Sequence, residues 1–250
     1  MNDETNRFQQ LHDLRFLLTP EHECGYLPDH EAVTLFVDPQ CDLNPARYNL
    51  LAEIGFRRSG EHLYRPHCAH CKACIPVRIP VSRFTPSRNQ KRVLTRNKNI
   101  SVSWRESRFT DEHFALYRRY MQMRHAGSSM DDDNPTYYRR LLATDWCDTR
   151  LAEFRQGPRL LAVAITDWME SGLSAVYTFF DPDAHARSLG TYAIMQQIHR
   201  AKLNELPYVY LGYWIKQCSK MAYKDKFRPF EYFDGHRWHP FEERSMNTPP

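Results

Sequence analysis

The chain has 250 residues, 42% of them hydrophobic and 13% aromatic, enough for one large or two small folded units and too apolar for a disordered chain. No run of about 18 apolar residues occurs, which excludes a membrane-spanning helix, and the polar, acidic first residues lack a signal-peptide core, so a cytoplasmic location is the expectation. The net charge of +4 hides a division: residues 57–108 carry thirteen Lys or Arg against Glu61 and Glu106, while the remainder is net acidic. Such a basic block points to a polyanionic partner, with a solvated basic face as the plain alternative.

In chain order, residues 32–37 read as an apolar strand. Asn44-Pro45 is an N-cap followed by proline at the first helical position, and predicts a helix to Ile54 closed by Gly55. Residues 56–58 and 62–65 flank Ser59-Gly60 as a hairpin. A loop then holds Cys68, Cys71 and Cys74 at Cys-x-x-Cys-x-x-Cys spacing, with His67 and His70 among them. Thiolates so spaced can converge on one metal, and the fourth ligand would be Cys24, from the tight Cys24-Gly25-Tyr26-Leu27-Pro28 turn, or one of the two histidines. Zinc and an iron–sulfur cluster both suit this set, and reduced metal-free thiols are the alternative. Cys147 and Cys218 have no close ligand partners in sequence and read as buried thiols. Ile75, Val77, Ile79 and Val81 alternate as a strand.

Residues 82–97 place Arg83, Arg88, Lys91, Arg92 and Arg96 among amides and hydroxyls, including Gln90, a pattern that can hold several phosphates. Helices are expected over 110–124 and 134–143. Met130-Asp131-Asp132-Asp133 lacks the alternation of a calcium loop and reads as a plain loop. Strands over 150–155, 159–167 and 173–180 precede an amphipathic helix over 188–204 and a strand over 208–211. Asp181 at a strand end faces the small-residue helix start Ser188-Leu189-Gly190-Thr191-Tyr192, whose backbone N–H groups can hold an anion. From Tyr210 to Pro229 aromatics interleave with Lys220, Lys224 and Arg228, which suits a terminal nucleoside and its phosphates. The order of elements predicts an α+β fold, with one unit over 1–100, a second over 101–240, and a disordered tail over 241–250.

Four segments carry a resemblance. Cys24-Gly25-Tyr26, the Ser-x-x-Gln-Lys-Arg-Val-Leu core at 87–94, Asp-Pro-Asp…Ser-Leu-Gly-x-Tyr at 181–192, and Tyr-Leu-Gly-Tyr…Lys-Met-x-Tyr-Lys…Arg-Pro at 210–229 together resemble the arginyl-tRNA–protein transferases. The short length and the cysteine triplet are similar to the bacterial branch, the aspartate/glutamate leucyltransferases. Leu27 stands where the eukaryotic members have the second cysteine of the turn.

The resemblance implies an acetyltransferase-like (GNAT) mixed sheet flanked by helices behind a smaller N-terminal α+β domain. It also implies transfer of leucine from leucyl-tRNA to proteins beginning with Asp or Glu, marking them for degradation in the N-degron pathway, with no cofactor required for the transfer. On that basis Arg83, Arg88, Gln90, Lys91 and Arg92 are expected to hold the tRNA, with Ser188 and Arg228 near its end. Arg78 would pair with the acceptor's acidic side chain. Asp181 would orient or deprotonate the amine, and Tyr192, Tyr213, Lys220, Tyr223 and Lys224 would line the pocket for the acceptor end of the tRNA. Arginyl transfer and a non-catalytic, metal-stabilised RNA-binding module are the competing readings. A small-molecule acetyltransferase is disfavoured because none of the nine glycines form a pyrophosphate loop.

Overall fold

The computed structural model describes residues 10–124, 134–142 and 144–242. The acidic Met130–Asp133 stretch and the tail from residue 243 lie outside them. Two sheets organise the chain. The smaller is antiparallel, in the order β1 (Phe16–Leu18), β4 (Thr34–Val37), β6 (His62–Pro66), β5 (Arg57–Ser59). A short ribbon of β2 (His22–Glu23) and β3 (Glu31–Ala32) stands apart and carries the Cys24 turn between its strands.

Helix α1 (Pro45–Glu53) starts where the sequence predicts: the Asn44 side chain accepts from the Arg47 N–H at 2.9 Å, and Gly55 follows the helix at φ +88°. Gly60 takes φ +59° in the hairpin between β5 and β6.

The larger sheet has eight strands: β7 (Ile75–Pro80), β8 (Ser101–Glu106), β9 (Asp148–Gln156), β10 (Arg159–Met169), β11 (Gly172–Phe180), β12 (Tyr208–Trp214), β13 (Glu231–Phe233) and β14 (Trp238–Pro240). Their order is β14-β13-β7-β12-β11-β10-β9-β8, and the sheet takes up the chain at residue 75, ahead of the expected boundary near residue 100. Every neighbouring pair is antiparallel except β11 and β12, which are parallel and joined through helix α5 (Leu189–Leu203).

Helices cover both faces. Ala162 and Ala164 of β10 pack with α2 (Arg88–Arg96) and α5, while Val163 and Ile165 pack with α3 (Asp111–Arg124) and α4 (Pro135–Leu142). That alternation explains why β10 is apolar almost throughout. A mixed α+β sheet flanked by helices, with a smaller N-terminal sheet, is therefore the architecture.

The two sheets share a core in which Tyr48, Leu51 and Leu63 pack with Met169 and Tyr210. A buried ion pair locks that contact. Arg58 Nε and Nη2 donate to the Asp167 carboxylate at 2.7 and 2.8 Å, and neither side chain is exposed. The Tyr48 hydroxyl and Thr149 Oγ1 also donate to Asp167, each at 2.8 Å. Arg58→Met should therefore cost about 3–5 kcal/mol in urea unfolding, because it leaves a buried carboxylate without its counter-charge. Arg108→Met, which breaks the exposed Arg108–Glu106 pair, should cost under about 1 kcal/mol. Equal costs would contradict the assignment.

Candidate active site at the fork of two parallel strands

Strands β11 and β12 pair only through Gly172–Tyr208, Leu173–Val209 and Ser174–Tyr210, then separate. Beyond that point β11 runs to Phe180 and β12 to Trp214, and residues 175–178 are only half-buried although they lie mid-sheet. A ladder that stops mid-sheet leaves backbone groups seeking partners. Arg57 supplies them: Nη1 donates to Ser174 Oγ at 2.9 Å and to the Tyr210 carbonyl at 3.4 Å, and Nη2 donates to the Ala175 carbonyl at 2.7 Å.

The β12 register against β7 slips between Tyr210 and Gly212, where Gly212 has φ +78°. A Cβ there would lie 3.0 Å from Arg57 Nε, which accounts for the glycine of the Tyr-Leu-Gly-Tyr motif. Because the two strands are parallel, both carboxyl ends reach the same sheet edge, where open sheets bind ligands.

After β12 the chain forms a short helix, α6 (Ser219–Ala222), and returns. Lys220 is exposed and Tyr223 is 39% exposed on this segment. Lys224 is not: it is 5% exposed, with Nζ donating to the Tyr213 carbonyl at 2.5 Å and Met221 Sδ at 3.6 Å. Burial first, and then the neighbouring Arg57 charge, push its ammonium down to about 7. Tyr213 is also interior, its hydroxyl donating to the carbonyls of Gly55 and Tyr64. Both side chains are buried and bonded within the fold, so neither presents a free polar end to solvent.

Asp181 ends β11 and differs most from expectation. One carboxylate oxygen accepts from Arg119 Nη2 at 2.9 Å and the Asp183 N–H at 3.1 Å, and the other accepts from Arg159 Nη2 at 2.5 Å. Burial alone would raise its pKa, but the Arg159 hydrogen bond, the Asp183 N–H and Arg119 together hold it below the ordinary carboxylate range. A carboxylate so engaged is a poor base, and its geometry serves to aim two arginines. Arg119 and Arg159 remain 49% and 60% exposed on this rim. Ser188 is exposed in the left-handed region at φ 54° just before α5, while Tyr192 is buried against Phe154 at 5.7 Å.

Helix α2 joins the two halves of the rim. Its capping box explains the Ser-x-x-Gln spacing: the Gln90 N–H donates to Ser87 Oγ and the Ser87 N–H to Gln90 Oε1. Gln90 Nε2 then donates to the Lys226 carbonyl at 3.0 Å, so this buried amide ties α2 to the segment after β12 and does not face a phosphate. At the other end, Arg96 donates to the Ala186 carbonyl, and Asn97 Nδ2 to the Arg187 carbonyl at 2.9 Å.

The exposed face of α2 presents Arg88, Lys91 and Arg92. Among the described residues no carboxylate lies within ion-pair distance of these three. Arg83 instead meets Glu231 at 2.5 Å. Arg78 also donates to Glu231, at 2.9 Å, and its guanidinium stacks 3.5 Å from the Tyr208 ring centre and 4.3 Å from that of Trp238. Arg78 is thus committed inside the fold and has no free fork for an acceptor's carboxylate. Arg228 donates to the Asp225 carbonyl and lies 5.0 Å from the Phe241 ring centre.

The cysteines gather near the small sheet. Burial, then the thiols of Cys24, Cys68 and Cys71, push the Cys74 thiol up to about 12. Cys68, His70 and Cys71 line a depression of about 490 Å3 with Glu21, Asp29 and Glu31. A zinc ion or cluster needs its ligands to converge. Among the described residues no three His, Cys, Asp or Glu side chains do so. No step of the chemistry is routed through such a group.

Sequence reasoning passed over Arg57, Arg119, Arg159 and Gly212; the basic block and the Tyr-Leu-Gly-Tyr motif contained two of the four without revealing their contacts. The buried Lys224 makes a checkable prediction. Between its native pKa of about 7 and the ordinary lysine value, the unfolded chain binds the extra proton, so this residue makes stability rise with pH over that window. The unfolding free energy of wild type minus that of Lys224→Met should therefore climb from pH 7 to 9, by at most about 1.4 kcal/mol per unit. A flat difference would refute the lowered pKa of Lys224.

Residues 22–92 match the family model described as arginine-tRNA-protein transferase, N terminus, and residues 112–234 match the C-terminus model of the same family. A protein named aspartate/glutamate leucyltransferase from Chromohalobacter salexigens is 52% identical over 232 residues, covering 92% of this chain and 94% of its own. One of the same name from Pseudomonas fluorescens is 50% identical over 229 residues, covering 92% and 97%. Among solved structures, a domain described as the C-terminal part of a lysylphosphatidylglycerol synthetase from Agrobacterium fabrum aligns with a TM-score of 0.49 at 14% identity, covering 79% of this chain and 64% of that one. That likeness is too distant to add to the sheet order, but the sequence matches span both sheets and every motif of the fork: the chain belongs to the arginine-tRNA–protein transferase family.

Proposed function

We infer that this protein is an aminoacyltransferase that moves leucine from leucyl-tRNA to the N-terminal amine of proteins beginning with Asp or Glu. The name and full-length similarity of its relatives support the reaction. The observation that carries the reading here is α2, whose basic face meets no carboxylate among the described residues and is tied to both halves of the fork. Arg88, Lys91 and Arg92 hold tRNA phosphates, and the esterified 3′ end then reaches the cleft at the carboxyl ends of β11 and β12.

The donor is an activated ester, so no further activation is required. The acceptor's α-amine, with an ordinary pKa of about 8, has a usable neutral fraction at pH 7. It attacks the ester carbonyl, the tetrahedral oxyanion collapses, and the 3′-oxygen of the tRNA leaves with a proton. Positioning and oxyanion stabilisation supply most of the rate, with the N–H groups at the start of α5 at hand for the latter. The acceptor's acidic side chain is matched by Arg159, which is 60% exposed and held by Asp181, in place of Arg78; Arg119 is shared between Asp181 and Asp183. Lys220, Tyr223 and Arg228, on the segment after β12, would contact the terminal nucleoside.

Mixing the protein with labelled leucyl-tRNA and a peptide beginning with Asp should yield leucyl-peptide, with arginyl-tRNA a poor donor. Transfer of neither amino acid would favour the RNA-binding reading. Lys91→Ala together with Arg92→Ala should weaken tRNA binding about tenfold or more at moderate salt and flatten the salt dependence by roughly one unit of slope per lost phosphate contact. Unchanged binding would remove α2 from the tRNA path. Arg159→Ala should raise KM for the peptide more than for leucyl-tRNA, and an equal rise in both would count against its role.

A further inference from the structure

Arg57 belongs to the small sheet yet makes its hydrogen bonds in the large one. It is 8% exposed, and among the described residues no carboxylate lies within ion-pair distance of it. A buried guanidinium without a counter-charge is costly, so the contacts it makes are its explanation. All three are with the fork: Ser174 Oγ, the Ala175 carbonyl and the Tyr210 carbonyl. Ser174 and Tyr210 form the last parallel pair, and Ala175 is the first β11 residue past the split. Two donors on one planar group thus cap carbonyls from both arms where the ladder ends. Gly212, next along β12 from the slip in register, leaves room for the guanidinium.

We propose that Arg57 is a positioning residue for aminoacyl transfer, a wedge whose guanidinium bridges the β11 and β12 carbonyls at the fork and so sets the width of the cleft between them. This rests on the reading that the cleft receives the aminoacyl end. The planar, two-pronged head is essential, since a lysine ammonium cannot span both carbonyls in one geometry. Arg57 touches backbone and Ser174 rather than substrate, so its loss acts through the placement of the cleft walls. A misplacement of about 1 Å lowers the rate of a positioned reaction about 100-fold.

The test is steady-state kinetics on the full chain with leucyl-tRNA and an Asp-starting peptide, alongside thermal melts. Arg57→Lys and Arg57→Gln should lower kcat about 10–100-fold while KM for leucyl-tRNA changes little. Arg65→Gln is the control. It removes a neighbouring arginine of the small sheet that also bonds a backbone carbonyl, Ile54 O. It should lower the melting temperature and leave kcat within about twofold.

Gly212→Ala, which crowds Arg57, should also lower kcat. The kcat loss from Gly212→Ala should shrink in the Arg57→Gln background, because the two share one contact. A folded Arg57→Lys protein with wild-type kcat overturns the proposal, as do fully additive losses for Arg57→Gln and Gly212→Ala. If Arg57→Gln does not fold, Arg57→Lys and Ser174→Ala decide by the same criterion. Thr178→Trp, which fills the half-open wall, separates the two levels. Should it leave transfer untouched, the cleft reading fails and takes the wedge with it. Should it abolish transfer while Arg57→Lys is normal, the wedge alone fails.

Discussion

Three residue pairs hold β11 to β12, and then the ladder stops in mid-sheet. Sheets satisfy backbone groups by pairing, so an opening of this kind exists only where something else takes over the carbonyls. Here the replacement comes from the other sheet. Consecutive residues of a strand point opposite ways, and the Arg57-Arg58 dipeptide of β5 uses both directions. Arg57 reaches the fork between β11 and β12, and Arg58 reaches Asp167 on β10. The small sheet is therefore a structural condition of the cleft rather than an appendage, and the shared core around Tyr48, Met169 and Tyr210 follows from the same docking.

The charge of the chain is spent in two ways that a count cannot separate. Arg57, Arg58 and Arg78 all lie in the basic block, yet all three are buried and used within the fold. Arg88, Lys91 and Arg92 lie in the same block, on the exposed face of α2. What makes the second group available is local. The capping box fixes where the helix starts, Gln90 and Val93 turn inward, and the basic side chains are left outward. On the proposed reading, the footprint for tRNA phosphates is this one helical face. The rim adds Arg119 and Arg159, which lie outside the block in sequence and meet at Asp181 only through the fold.

Where a local rule governed, the sequence was readable. The Asn44 cap, the Gly60 hairpin, the alternation in β7 and the amphipathic run of α5 each depend on residues a few positions apart, and each lies close to its expected place. Short strands such as β1, β13 and β14 escaped because three residues carry too little periodicity. Functional roles were harder for a physical reason. Asp181 reads as an acid at a strand end, but its state is set by Arg119, 62 positions away, and Arg159, 22 positions away. Gln90 reads as a phosphate contact until its amide is seen to cap a helix and hold Lys226. Lys224 reads as a cation for RNA until its burial is known. In each case the residue type was right for several tasks, and partners distant in sequence chose among them.

The division of labour fits a reaction whose energy arrives with the donor. An ester attacked by a free amine does not call for a buried nucleophile or a strongly shifted base at the point of attack. It calls for two chain ends held together, one from a polyanion and one from a protein, in a place that does not collapse when empty. A cleft formed by loops would have to order itself at each turnover, at a cost in conformational entropy. A cleft formed by two strands of one sheet is ordered already, provided its inner carbonyls are satisfied without closing it. On the proposed reading, the wedge, the glycine that admits it and the capped basic helix across the strand ends meet those conditions with side chains fixed by folding, which preorganises the site before either substrate arrives.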